Sequence, residues 1–105
     1  MKKVEAFIKE HRLDAVIQAL HRLDGLSGAT VSKCNGFGRG KPDGIRDFKP
    51  AVKIEIYCSG EMAEKVVAAV EKAAHTGLRS DGKIFVIPVE LACRISSGER
   101  GDQAI

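Results

Sequence analysis

Ala51-Val52-Lys53-Ile54-Glu55-Ile56-Tyr57-Cys58 is the stretch whose reading decides the fold. Val52, Ile54, Ile56 and Cys58 alternate with Lys53, Glu55 and Tyr57, the period of a strand with one face in a core. Ser59 follows as a helix cap, and Glu61 suits the first turn of the helix it would start. Met62, Val66, Val67 and Val70, with Ala69, Ala73 and Ala74, supply a buried stripe, and Gly77 ends the helix. Residues 83–89 are apolar on both faces and read as another strand.

The same order stands upstream. Residues 3–8 alternate, with Val4, Ala6 and Ile8 on one side. Leu13, Val16, Ile17, Leu20 and Leu23 recur at helical spacing, and Gly25 is a natural stop. Residues 28–37 form a strand with β-branched character at Thr30 and Val31. The segment 38–49, rich in Gly, Asp, Lys and Arg and holding Pro42, is an exposed loop. Two split βαβ units predict an α+β, ferredoxin-like antiparallel sheet with both helices on one face. Residues 1–105 make a single domain, with an effector loop at about 38–50 and a polar tail at about 96–105. In the last strand Phe85, Ile87 and Val89 lie on one side and Ile84 and Val86 on the other. A domain this small cannot cover the second face by itself, so self-association is expected.

Composition narrows the partners. A formal net charge of +3 permits an anionic ligand without demanding nucleic acid. Aromatic residues are 5% of the chain, too few for base-stacking platforms, and no RNP-type aromatic run is present. No segment approaches the eighteen or so consecutive apolar residues of a membrane helix. Met1-Lys2-Lys3-Val4-Glu5-Ala6 lacks the apolar stretch of a signal peptide, so a cytoplasmic location and no membrane insertion are expected.

Two turns carry the chemistry. Gly36-Phe37-Gly38-Arg39-Gly40 and Ser80-Asp81-Gly82-Lys83 each set glycine beside a cation at the border of a strand. Glycine lets backbone N–H groups approach a ligand, and the cation favours an anion. Phosphate binding is the sharp reading; a strand end and an ordinary Asp-Gly turn are the plain ones. Cys34, Cys58 and Cys93 lack C-x-x-C spacing and read as small apolar residues. His11, His21 and His75 form no metal motif within one chain. Lys9, Arg12 and Arg22 read as a solvated face. No Ser-His-Asp set or paired-carboxylate signature stands out, so no catalytic residue is assigned.

Met1-Lys2-Lys3-Val4-Glu5-Ala6, Thr30-Val31, Gly36-Phe37-Gly38-Arg39, Val52-Lys53-Ile54-Glu55, Thr76-Gly77, Asp81-Gly82-Lys83-Ile84-Phe85-Val86 and Ser97-Gly98-Glu99-Arg100 together resemble the P-II nitrogen regulatory signalling proteins. The resemblance covers nearly the whole chain. It implies a compact homotrimer that binds ATP or ADP between subunits. It also implies a long loop after the second strand that docks on a transporter or metabolic enzyme. With no catalytic signature in the sequence, the chain is expected not to be an enzyme. Carried over, Gly36, Phe37, Gly38 and Arg39 surround the nucleotide, and Thr30 and Glu55 meet the adenine. Asp81, Gly82 and Lys83 form the phosphate turn, and Arg94 reaches the phosphates.

The chain also departs from the family pattern. Where the resemblance implies glutamine after Arg39 this chain has Gly40. A lysine after the loop's proline falls on Ala51, a second arginine on Ser96, and a glycine before Asp81 on Ser80. The loop is shorter and holds no tyrosine for uridylylation; Tyr57 is inside a strand. A charge-assisted hydrogen bond is worth roughly 1.5–3 kcal/mol, so several losses would shift preference from ATP towards ADP or AMP. They would also weaken magnesium and 2-oxoglutarate binding. The alternatives are a sensor tied to bicarbonate or metal transport through the same nucleotide site, or a slow nucleotide hydrolase.

Overall fold

In a computed structural model, residues 1–38 and 48–105 are described. The element order is β1 (Lys2–Ile8), α1 (Leu13–His21), β2 (Thr30–Gly36), β3 (Lys49–Cys58), α2 (Gly60–Ala74) and β4 (Gly82–Pro88). Short 3-10 turns at Glu10–Arg12, Arg79–Asp81 and Gly101–Ala104 connect or follow them. The four strands form one sheet in the order β2-β3-β1-β4, every pair antiparallel. This is the ferredoxin-like α+β architecture that the double βαβ order requires.

Alternation places the core. Val4, Ala6 and Ile8 of β1 and Val52, Ile54, Ile56 and Cys58 of β3 are buried, as are Val16 and Leu20 of α1 and Ala63, Val66, Val70 and Ala74 of α2. Both helices therefore cover the same sheet face. The opposite face carries Lys3, Glu5 and Phe7 beside Lys53, Glu55 and Tyr57, and beside Phe85 and Ile87, by the strand register. Phe85 and Ile87 are exposed in the single chain, and so is Val86 on the helix side of the edge strand β4.

Residue detail differs from the sequence reading at the start of β3 and around Lys9 and Arg12, among other places. β3 begins at Lys49, two residues early, because Lys49 and Pro50 pair with Gly36 and Asn35. β1 ends opposite Val52, so Pro50 lies where β3 has one neighbour only and its missing N–H is tolerated. Lys9 and Arg12 are not a solvated face. The Lys9 ammonium is 3.3 Å from the Asp81 carboxylate, and the Arg12 guanidinium donates to the Ala73 carbonyl, with Nε at 2.9 Å. Arg12 thus satisfies a carbonyl that the end of α2 leaves without a helical partner. At the other end of α2 the Ser59 hydroxyl accepts from the Met62 N–H at 3.3 Å, as a capping residue should.

Candidate functional site

The sheet register sorts the expected ligand residues into two groups. Thr30 begins β2 directly opposite Glu55 of β3. Beside them, residues 89–94 run past the end of β4 and, with Ile105, close a cleft of about 580 Å³ lined by Thr30, Glu55, Tyr57, Leu91, Cys93 and Arg94. The chain beyond β4 is folded back on itself. The Arg94 N–H donates to the Glu99 carbonyl at 2.8 Å, Gly98 N–H to the Arg94 carbonyl at 2.7 Å, and Gly101 N–H to the Ala92 carbonyl at 2.9 Å. The Arg94 guanidinium donates to the main-chain oxygen of Ile105 at 3.3 Å. The polar tail read from the sequence is thus a bridged hairpin that sets Arg94 at the cleft.

Glu55 belongs to an ion network on the open sheet face. Lys3 Nζ lies 2.8 Å from Glu55 and 2.6 Å from Glu5, and 5.8 Å from the centre of the Tyr57 ring. The Lys3 ammonium holds the Glu55 carboxyl below the usual carboxylate range, and Glu5 first, then Glu55, raises Lys3 far above its ordinary value. Glu55 is therefore a fixed anion at the cleft's edge.

The second group stands at the opposite end of the sheet, where Ile8 pairs with both Val52 and Gly82. Gly36 ends β2, and the Phe37 and Phe48 rings meet edge to face at 5.5 Å, closing the base of the loop. Gly38 is the last described residue on that side; Arg39 and Gly40 lie outside the described residues. Across the sheet, on the far edge strand, Asp81, Gly82 and Lys83 border a second cleft of about 570 Å³ over Phe7, Ile8, Val67, Leu78 and Ile84.

The second turn has a specific construction. Gly82 has φ +117°, and a Cβ there would lie 1.8 Å from the Phe7 carbonyl oxygen, so only glycine lets β4 start against β1. The Asp81 carboxylate accepts from the Thr76 hydroxyl, from the Thr76 N–H at 2.7 Å and from the Gly77 N–H at 3.0 Å. Led by the Thr76 hydroxyl, these donors hold its carboxyl far below the usual range. Lys9 adds the counter-charge, and His75 Nδ1 is 3.8 Å away. Lys83 is exposed on the open face, opposite Phe7.

Thr30, Glu55 and Arg94 therefore meet in one cleft, while Gly82 and Lys83 share another with Asp81. One chain does not bring the two groups together. Tyr57 and Leu91 were missed as lining residues. Tyr57 was open to discovery, because it stands two residues after Glu55 on the same strand face. Nothing local pointed to Lys9, and Thr76-Gly77 stood out in the sequence only through the family resemblance, not as the partner of Asp81. Among the described residues no group of three or more His, Cys, Asp or Glu is placed to hold a metal ion, and no helix is long and apolar enough to cross a membrane.

Comparison with known proteins agrees with this architecture. The family model described as Nitrogen regulatory protein P-II matches residues 1–99. The Nitrogen regulatory proteins P-II of Azospirillum brasilense and Rhodospirillum rubrum are each 46% identical over 113 aligned positions, covering all of both chains. Those 113 positions are eight more than the 105 residues here, so the alignment opens gaps on this chain's side. The crystal structure of Arabidopsis thaliana PII bound to citrate superposes with a TM-score of 0.85 at 38% identity, covering 99% of this chain and 91% of that one. The chain belongs to the P-II family of nitrogen regulatory signalling proteins.

Proposed function

We propose that this protein is a homotrimeric adenine-nucleotide sensor that regulates a target transporter or metabolic enzyme through the loop between β2 and β3. The observation that supports the reading is the division of the expected ligand residues between two ends of the sheet. A cleft between copies would bring Thr30, Glu55 and Arg94 of one chain to Gly36, Phe37, Gly38, Gly82 and Lys83 of the next; Arg39, which follows Gly38 in the sequence, lies outside the described residues. The exposed Phe85 and Ile87 on the uncovered sheet face supply apolar surface for that association. Lys83 and the Gly82 N–H offer a cation and a donor for phosphate; Asp81, whose oxygens face the chain's own donors, shapes the turn.

The bound nucleotide is ADP, AMP or ATP, with the first two favoured. Gly40, Ala51 and Ser96 lack the side chains that would serve a γ-phosphate, magnesium and a keto acid. Nucleotide and loop are coupled, and the coupling is reciprocal with target binding. Isothermal titration with AMP, ADP, ATP and cyclic AMP, with and without magnesium, bicarbonate and 2-oxoglutarate, tests this. Binding of ADP or AMP without micromolar 2-oxoglutarate binding is expected. Silence with every nucleotide would overturn the sensor, and Mg-ATP-dependent micromolar 2-oxoglutarate binding would overturn the departure from keto-acid sensing. Turnover of nucleotide in the same samples would favour the hydrolase alternative.

A further inference from the structure

The Asp81 carboxylate sits where a plain phosphate turn would place a penalty. It immediately precedes Gly82 and Lys83, and an anion held by those two residues would meet a second negative charge close by. The structure answers this in two ways. Both Asp81 oxygens face back along the chain, towards the Thr76 hydroxyl and the N–H groups of Thr76 and Gly77. Lys9, just past the end of β1, approaches to 3.3 Å and cancels the charge.

The Gly82 backbone is also seated from the other side. The absent Cβ leaves the space taken by the Phe7 carbonyl of β1. The start of β4 is therefore clamped between β1 on one side and the segment after α2 on the other. Three donors converge on one carboxylate from residues four and five positions upstream. An amide in its place could not serve them, since half of it is itself a donor.

We propose that Asp81 is a positioning residue: it fixes the direction of the Gly82–Lys83 backbone for a phosphate it does not touch, with Thr76 as its main partner and Lys9 as the charge that keeps the turn anion-tolerant. This rests on the reading of Gly82 and Lys83 as phosphate contacts. It differs from a ligand role for Asp81, which would need at least one free oxygen directed at the cleft.

The test is fluorescence competition on the full chain, with ADP and adenosine displacing a fluorescent ADP analogue, for wild type, Asp81→Asn, Thr76→Val, Thr76→Ser and Lys9→Met. Asp81→Asn and Thr76→Val should each weaken ADP about tenfold and adenosine less than about twofold, because only the phosphate end is misplaced. Thr76→Ser, which keeps the hydroxyl, should restore wild-type affinity. Lys9→Met should weaken ADP several-fold, more at low salt than at high, by unmasking the Asp81 charge. ADP affinity unchanged in both Asp81→Asn and Thr76→Val overturns the proposal, and so does equal loss for ADP and adenosine, the mark of a merely structural role. If Asp81→Asn does not fold, Thr76→Val decides, since it removes one hydroxyl. If wild type fails to bind ADP, the phosphate reading falls and amide hydrogen exchange judges the clamp by itself. Thr76 and Gly77 amides should then exchange about tenfold faster in Asp81→Asn; unchanged exchange overturns it.

Discussion

Gly82 shows how much one missing methyl can decide. Its φ of +117° is open to glycine, and a β-carbon would sit 1.8 Å from the Phe7 carbonyl oxygen, a backbone atom that cannot step aside. Gly82→Ala is expected to cost at least about 2 kcal/mol in denaturant unfolding, well above an ordinary surface change. At the neighbouring position the sign of a pH effect follows from the fold. Asp81 and Glu55 both have folded carboxyls below their unfolded value. Their contribution to stability is complete above the unfolded pKa of about 4 and is lost as pH falls through and below it. Lys3, raised in the folded state, contributes below its unfolded pKa of about 10.4 and loses that contribution as pH rises above it. Denaturation curves between about pH 6 and pH 3 should show a stability decline that is shallower in Glu55→Gln than in wild type. The glycine turn was legible in Asp81-Gly82, because that dipeptide marks a tight connection. Its counter-charge was not: Lys9 is 72 residues away from Asp81 in the chain, and no local pattern links the two.

At the scale of the element, period and capping account for nearly everything seen. Alternation over 51–58 and the helical spacing over 62–74 became β3 and α2 because each pattern has one apolar face and one polar one. Ser59 was readable as the cap, and its hydroxyl does accept from Met62. Ser59→Ala is expected to lower stability by about 1 kcal/mol, measured as a shift of the thermal midpoint, with the sheet unchanged. The far end of α2 departs from the expectation that Gly77 ends the helix. The helix stops at Ala74, with the Arg12 fork on the Ala73 carbonyl. A guanidinium from the turn before α1 does the capping, a long-range contact that the charge pattern around Lys9 and Arg12 could not reveal.

For the whole molecule, the consequential feature is a sheet with helices on one face only. The other face mixes the Lys3, Glu5, Glu55 and Lys53 network with Phe7, Tyr57, Phe85 and Ile87. Phe7 and Phe85 stack edge to face at 6.3 Å across β1 and β4, which presents a joined apolar surface. Under the trimer proposed here, Ile87→Asp should yield monomers by light scattering after size exclusion, and nucleotide binding should fall with the trimer. A trimer that survives the charge with full affinity would place the contact elsewhere.

The sequence by itself determined the element order, the fold class and the family, because hydrophobic period, caps and glycine turns are local properties of the chain. Through the family resemblance it also marked out Thr30, Gly36, Phe37, Gly38, Arg39, Glu55, Asp81, Gly82, Lys83 and Arg94 as one kind of site. Only the tertiary structure decided that the described ones fall at two ends of one sheet, that Asp81 spends its oxygens on Thr76 and Gly77, and that Lys9 and Arg12 are engaged by distant residues. The physical reason is that side-chain partnerships across a sheet or between element ends follow from strand register and packing. Both are set by the whole chain's burial, and no window of neighbouring residues contains the partners of Lys9 and Arg12; Thr76 and Gly77 lie within five residues of Asp81, but only the folded turn aims its carboxylate at them.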